Sequence, residues 1–123
     1  MTVDFLLWLT TPMHEYSVAL NIADLVLQHS QGKRIEKVNL SIGDMSGVFY
    51  DSLTMYLQLI LDEKGHKNVM LEAKFIPATF VCACGKEYTT SKMAEGCPAC
   101  AGYDRKIIAG KDCQVESIEV NDE

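Results

Sequence analysis

Four cysteines in two short pairs constrain this chain more than any other feature of its sequence. Cys82 and Cys84 form a C-x-C pair, and Cys97 and Cys100 form a C-x₂-C pair after twelve intervening residues. Four thiolates presented from two tight turns can close a tetrahedral shell around Zn²⁺, and such a shell leaves no open coordination position. The spacing therefore predicts a structural zinc site in a small module, which we delimit at residues 79–112.

The cysteine pattern leaves two properties of this metal site open. The same sulfur set can bind iron, as in a rubredoxin-like electron carrier. The C-x-C pair is also tight, and Cys113 could replace one of the ligands. Because Cys113 lies beyond the module, near the last predicted strand, we interpret it as a semi-buried free thiol. An odd total of five cysteines indicates a reducing compartment rather than a disulfide framework.

Hydrophobic periodicity predicts an α+β domain around the module. Three- and four-residue spacing predicts helices, and alternation predicts strands. The expected helices span about 16–31 and 51–63, and the expected strands span 35–42, 69–75 and 114–120. The last strand has little core of its own and should pair back onto the first sheet. The expected fold is a small mixed sheet with two helices, carrying an inserted four-cysteine zinc-ribbon-like module.

The helical patterns also predict core positions and caps. The buried stripe of the first helix is expected to comprise Tyr16, Ala19, Ala23, Val26 and Leu27, with Leu20 beside it, and that of the second helix Leu53, Leu57, Ile60 and Leu61. Ser17 is the expected N-cap of the first helix, and Asp51 or Ser52 that of the second.

Residues 1–12 differ from the rest of the chain. They are apolar, carry one charge and end at Pro12. We expect them to be an extension, from an over-called start codon or a cloning remnant, ahead of a domain that begins at Met13. The alternative is that the F-L-L-W-L run packs on the domain or on a partner. The chain then divides into the extension, an α+β domain of 13–78 plus 113–123, and the zinc module.

Charge and hydropathy disfavour several classes of protein. Zinc modules that bind nucleic acid normally present a basic face, whereas this chain has 17 acidic and 11 basic residues and a net charge of −6. That balance favours contact with cations or with a basic partner surface. The longest apolar run is five residues, where a membrane span needs about 20, and no basic residue precedes it. We expect a soluble cytoplasmic protein without the nucleophile–base pair of an enzyme.

A histidine stands ahead of the first predicted helix, in the segment Met-His-Glu-Tyr-Ser at 13–17. Alone, His14 is more often a surface or capping residue than a ligand, and Glu15 is the acid that a helix N-terminus favours. The segment is followed by a V-N-L-S-I-G-D strand at 38–44, an S-G-V turn at 46–48 and the cysteine module. This combination resembles the HypA/HybF family of nickel metallochaperones of [NiFe]-hydrogenase maturation, from residue 13 to about 121.

The resemblance implies a nickel site separate from the zinc site. The nickel ligand would be His14, with the backbone at Met13 and Glu15 contributing, and the zinc ligands would be Cys82, Cys84, Cys97 and Cys100. Ni²⁺, which favours square-planar or tetragonal N/O environments, would be transient cargo. The resemblance further implies a GTPase nickel-insertion partner, a hydrogenase large subunit as recipient, and a monomer or weak homodimer.

The chain departs from the family pattern in three ways. Twelve residues precede the methionine, and the first cysteine pair is C-x-C rather than C-x₂-C. The acidic residue that some members carry after the S-G-V turn is missing, which leaves Asp44 or Asp51 as substitutes. His29 and His66 match no family ligand, and we interpret both as surface residues. The alternative function is a zinc-ribbon interaction or nucleic-acid-binding module in which Met-His-Glu is incidental.

Overall fold

The computed structural model describes residues 2–9, 15–90, 92 and 94–121. For residues 3–9 it describes the backbone and not the side chains. In chain order the elements of this part are β1 (Thr2–Leu9), α1 (Glu15–Ser30), β2 (Arg34–Gly43), α2 (Tyr50–Glu63), β3 (Met70–Ile76), β4 (Thr79–Cys82), β5 (Glu87–Thr89), β6 (Arg105–Ala109) and β7 (Cys113–Asn121). The strands form a four-stranded sheet in the order β1-β7-β2-β3 and a three-stranded sheet in the order β5-β4-β6. Within these residues, neither helix is both long and apolar enough to cross a membrane.

The predicted α+β fold class is confirmed. β2 and β3 are parallel and are connected through α2, whereas β7 pairs antiparallel with β2. The four-stranded sheet is therefore mixed, and the last strand returns to the first sheet as expected. The second sheet belongs to the cysteine module, whose individual strands the sequence analysis did not predict.

The hydrophobic core lies between the two helices and one face of the four-stranded sheet. Alternate residues of β2 point into it, because successive side chains of a strand point to opposite faces. The predicted stripe of α2 is confirmed. The core residues with the lowest exposure include Val38 and Leu40 of β2, Leu53, Leu57 and Leu61 of α2, and Val115 and Ile118 of β7.

The buried face of α1 is shifted from the predicted one. Ala19, Ala23 and Val26 are buried as expected, but Val18 and Ile22 complete the stripe. Tyr16 is 49% exposed, and its ring packs edge-on against Tyr56 of α2 with centroids 5.3 Å apart. A tyrosine that lies across the neighbouring helix in this way stays partly exposed and does not enter the core.

The predicted helix caps are wrong. α1 begins at Glu15, so Ser17 lies inside its first turn. α2 begins at Tyr50, after an N-cap residue, Phe49, that makes no side-chain capping hydrogen bond. The N–H of Phe49 instead donates to Oε1 of Glu15 at 3.2 Å. A carboxylate of one helix thus occupies the capping position of the other, which joins the N-terminal ends of α1 and α2.

Residues 2–9 form a strand that the sequence analysis did not predict. β1 pairs antiparallel with β7 from Thr2–Glu119 to Leu9–Cys113, with an irregularity between Asp4 and Leu7. The backbone of this segment therefore extends the sheet beyond β7, which corresponds to the alternative in which it packs on the domain. The F-L-L-W-L run lacks the apolar–polar alternation by which a half-buried strand is recognised.

The chain enters and leaves the cysteine module through a close backbone crossing. A Cβ atom on Gly110 would lie 2.5 Å from the carbonyl oxygen of Pro77, and one on Gly43 would lie 2.3 Å from the carbonyl carbon of Gly110. The N–H of Met45 donates to the carbonyl of Gly110 at 2.8 Å. The absence of side chains at these glycines is what allows the ends of the module to meet β2.

We predict that Gly110→Ala destabilises the protein far more than Gly32→Ala. The two glycines have nearly equal φ, +82° and +81°, but a Cβ on Gly32 has no atom within 4 Å. Left-handed backbone costs about 1–2 kcal/mol at either position, and steric overlap at Gly110 adds about 1–3 kcal/mol. Denaturant unfolding of zinc-loaded protein measures both losses. Equal losses would show that the crossing is not tight.

Candidate metal centre

The first cysteine pair lies on the turn between β4 and β5. Cys82 is the last residue of β4, and Cys84 lies in the turn that follows. The N–H of Gly85 donates to the carbonyl of Cys82 at 2.8 Å. Gly85 has φ +95°, which glycine adopts without steric cost. This glycine permits a C-x-C pair to present both sulfurs to the same side.

The second pair lies on a turn closed by its own backbone. The N–H of Ala101 donates to the carbonyl of Cys97 at 2.7 Å, and the N–H of Cys97 donates to the carbonyl of Gly102 at 2.9 Å. The N–H of Ala99 points at Sγ of Cys97, 3.4 Å away. A backbone amide directed at a sulfur stabilises its thiolate form, which is the form that binds metal.

The structure brings all four predicted cysteines together. Their Sγ atoms lie within 4.8 Å of one another. The close pairs join the two turns: Cys82 to Cys100 at 3.5 Å and Cys84 to Cys97 at 3.7 Å. A tetrahedron of sulfurs about 2.3 Å from a central Zn²⁺ has edges of about 3.8 Å, whereas a disulfide S–S bond is about 2.05 Å. The cluster fits a four-coordinate zinc ion, so the C-x-C spacing does not prevent a tetrahedral site.

The thiol pKa values of Cys97 and Cys82, one from each turn, are shifted in opposite directions. Burial acts to raise the pKa of Cys97, but N–H groups of Cys100 and Ala99 and the neighbouring sulfurs lower it to about 7. The N–H of Cys84 acts to lower the pKa of Cys82, but burial and its sulfur neighbours raise it to about 12. Crowded thiols cannot all ionise without a cation among them, so metal binding to this cluster must displace protons.

An arginine connects the strands of the module to the second cysteine turn. The guanidinium of Arg105 lies 4.5 Å from the ring centroid of Phe80 and donates to the hydroxyl of Tyr88 at 2.8 Å. It also donates to the carbonyl of Glu95, two residues before Cys97. The sequence analysis missed this residue, because its partners come from three separate segments and form no local motif.

Cys113 lies outside the cluster. It begins β7, is almost fully buried, and belongs to the core of the α+β domain. Burial, with a smaller contribution from Asp112, raises the pKa of this thiol to about 11. The predicted free thiol is therefore more deeply buried than expected and protonated at neutral pH.

The predicted nickel residues are only partly described. Met13 and His14 lie outside the described residues. Glu15, which follows them, is held by its hydrogen bond with the N–H of Phe49. This contact lies at the N-terminal ends of both helices and at the carboxyl end of the parallel β2–α2–β3 unit.

The other candidate ligands do not form a cluster. Asp44 and Asp51 are exposed, and neither belongs to a metal-type group within the described residues. The ring of His66, which is half-buried rather than fully exposed, accepts a hydrogen bond from the N–H of Ile35 at 3.0 Å and so contacts the start of β2. His29 is half-buried and bonds the carbonyl of Leu25 through Nδ1.

Comparison with known proteins identifies the relatives of this chain. A family model described as "Hydrogenase/urease nickel incorporation, metallochaperone, hypA" matches residues 13–120. The hydrogenase maturation factor HypA of Dehalococcoides mccartyi strain 195 is 35% identical over 115 residues, covering 90% of this chain and 97% of the relative. HypA of Caldanaerobacter subterraneus is 30% identical over 113 residues, covering 88% and 99%.

Two solved structures share the fold. The solution structure of the Ni metallochaperone HypA from Helicobacter pylori has a TM-score of 0.66 at 22% identity and covers 90% of this chain and 100% of that one. A second HypA solution structure has a TM-score of 0.67 at 23% identity, covering 90% and 98%. Residues 1–12 precede the region that the family model matches.

We predict that Cys97→Ser lowers the zinc content well below one equivalent and unfolds the module, because metal-binding free energy is folding free energy in such units. Cys113→Ala is the matched control, since it removes a buried sulfur outside the cluster. Metal analysis of purified protein and the dispersion of NMR amide signals from residues 79–112 measure the effect. Full zinc in Cys97→Ser, or zinc loss in Cys113→Ala, would contradict the ligand assignment.

Proposed function

The chain belongs to the HypA family of nickel-incorporation metallochaperones, and from this premise we propose that it carries Ni²⁺ to the large subunit of [NiFe]-hydrogenase. The proposed nickel ligand is His14, with the backbone at Met13 and Glu15 contributing. The proposed helper is a GTPase of the same maturation pathway, and the proposed compartment is the cytoplasm. The protein acts by binding and release, without catalysing a reaction.

The observation that carries this proposal is the family match over residues 13–120, which begins at the Met-His-Glu segment and spans the cysteine module. Either feature alone is weak, since isolated histidines and four-cysteine turns occur in many proteins. Their combination on one chain with this fold supports a cargo site near the N-terminal end of α1. The hydrogen bond of Glu15 to Phe49 then holds the residue after His14 against the start of α2.

The zinc module has a different role in this proposal. We assign Cys82, Cys84, Cys97 and Cys100 as the zinc ligands, and zinc bound by four thiolates serves to hold the two turns together. The module is fastened to the α+β domain at the Gly43–Gly110 crossing. That crossing lies at the end of β2 where the N-terminal ends of the helices also lie. The zinc module is therefore connected to the α+β domain at the end of β2 that precedes α2.

The alternative of a nucleic-acid-binding zinc ribbon is disfavoured by electrostatics. The net charge is −6, and phosphate binding depends on Lys and Arg that neutralise the backbone. The two functions also differ in the metal dependence they require. Only nickel delivery needs a second metal site that depends on His14.

We predict that His14→Ala abolishes specific Ni²⁺ binding to zinc-loaded protein, whereas His29→Ala, which removes the histidine in the last turn of α1, leaves it intact. A proton competes with the metal for the imidazole, so affinity should fall about tenfold per pH unit below the reference pKa of about 6.5. Isothermal titration calorimetry between pH 5.5 and 7.5 measures both effects. Unchanged binding in His14→Ala would reject the proposed site.

We also predict that a chain starting at Met13 binds Ni²⁺ more tightly than the full chain. Its free amine lies in sequence beside His14, whereas in the full chain that nitrogen is a peptide amide, and Pro12 before it has no N–H. The control is the same truncated chain with an acetylated N-terminus, which lacks β1 but has no free amine. If the acetylated form binds as tightly as the free form, the amine is not a ligand.

A further inference from the structure

The two helices carry no positively charged side chain of the lysine or arginine type. α1 (Glu15–Ser30) and α2 (Tyr50–Glu63) together contain five acidic residues and neither Lys nor Arg. A helix on the surface of a globular protein normally mixes both signs of charge on its outer face. The basic residues nearest to the helices follow their C-terminal ends, as at Lys33 and Lys64. The Asp and Glu residues of the two helices are therefore not accompanied by Lys or Arg within either helix.

The exposed side of α1 combines this charge with apolar surface. Four of its exposed residues recur every four positions, at Tyr16, Leu20, Asp24 and Gln28, and Asn21 is exposed beside them. Residues four apart lie on the same side of a helix, one turn above the other. This stripe faces away from the buried stripe that contains Ile22.

The exposed side of α2 repeats the arrangement more strongly. Asp51, Met55, Leu59 and Glu63 are exposed at the same four-residue spacing. Met55 is 53% exposed and Leu59 is 55% exposed. Two apolar side chains are thus placed between two acidic ones along a single line. We call the two exposed stripes together the outer helical face.

The opposite face of the protein has a different character. On the side of the sheet away from the helices, Lys37 bonds Glu72 at 2.7 Å and Lys74 bonds Glu116 at 3.0 Å. Lys37 also pairs with Glu119 at 3.7 Å, so on this face glutamates lie in contact with lysines. Acidic and apolar side chains, with no lysine or arginine in either helix, are thus a feature of the outer helical face. The overall acidic excess of the chain does not by itself explain this arrangement.

We propose that the outer helical face docks a partner protein whose surface presents apolar side chains flanked by Lys and Arg. Such a surface would cover Met55 and Leu59 and pair with Asp24, Asp51 and Glu63. A second copy of this chain is a poor occupant, because stacking two outer helical faces brings acids against acids. An anionic membrane or a nucleic acid is repelled for the same reason.

The size of the face indicates a transient complex. The helices have 16 and 14 residues, so each is about 21–24 Å long, and packed helices lie about 8–10 Å apart. Two stripes of this kind present a few hundred Å², below the about 800 Å² per partner of a stable complex. Weak, salt-sensitive association suits a protein that must leave its partner. The proposal does not depend on nickel binding.

The test uses a synthetic amphipathic helix of Leu and Lys as probe, and the same helix with Glu in place of Lys as control. NMR titration of zinc-loaded, ¹⁵N-labelled protein should shift amides of α1 and α2 with the Lys probe only. Leu59→Ser should weaken this binding about tenfold, and Asp51→Asn should reduce its dependence on salt. Ile108→Ser is the matched control, because Ile108 is 50% exposed on β6 of the zinc module.

Three results would overturn the proposal. The first is equal weakening by Ile108→Ser and Leu59→Ser, which would mean that the probe binds any apolar site. The second is equal binding of the Glu probe. The third is self-association of the wild type in analytical ultracentrifugation that Leu59→Ser abolishes, which would make a second copy the occupant. Zinc content and circular dichroism verify that each variant is folded.

Discussion

The pairing of β7 with β2 is the interaction on which the rest of the structure depends. Residues Val38 and Ile118 are neighbours in this pairing, although the whole of α2, β3 and the zinc module separates them in sequence. Closing so long a loop costs entropy before any contact compensates for it. A metal ion that joins Cys82 to Cys100 shortens the flexible part of that loop, because it holds the beginning and the end of the zinc module near each other. Zinc binding in the module and sheet formation in the other domain are in this way coupled.

Much of the fold and part of the site could be predicted because the relevant information is local in sequence. The cysteine spacing predicted the cluster that the structure assembles, and the stripe from Leu53 to Leu61 predicted the buried side of α2. The return of the last strand followed from its need for a core. Each of these signals is contained within a window shorter than 20 residues.

Several features that the sequence analysis missed depend on contacts between distant segments. Capping of α2 by Glu15 crosses from one helix to another, and the hydrogen bond from Ile35 to His66 joins a strand to a loop. The strand β1 was not predicted because its apolar run lacks apolar–polar alternation and its partner strand is distant in sequence. His14 lies outside the described residues, and its proposed role as a nickel ligand rests on the sequence and the family match.

The register between β1 and β7 places the beginning of β1 beside the end of β7. Thr2 is paired with Glu119, so β1 and β7 run side by side in opposite directions and Thr2 lies close to Asn121. Neighbouring antiparallel strands lie about 5 Å apart. A short peptide linker would therefore join Asn121 to Thr2, and the chain could be reopened at the exposed Gln31–Gly32 turn. This protein is accordingly suited to circular permutation that changes the order of its elements and preserves every strand pair.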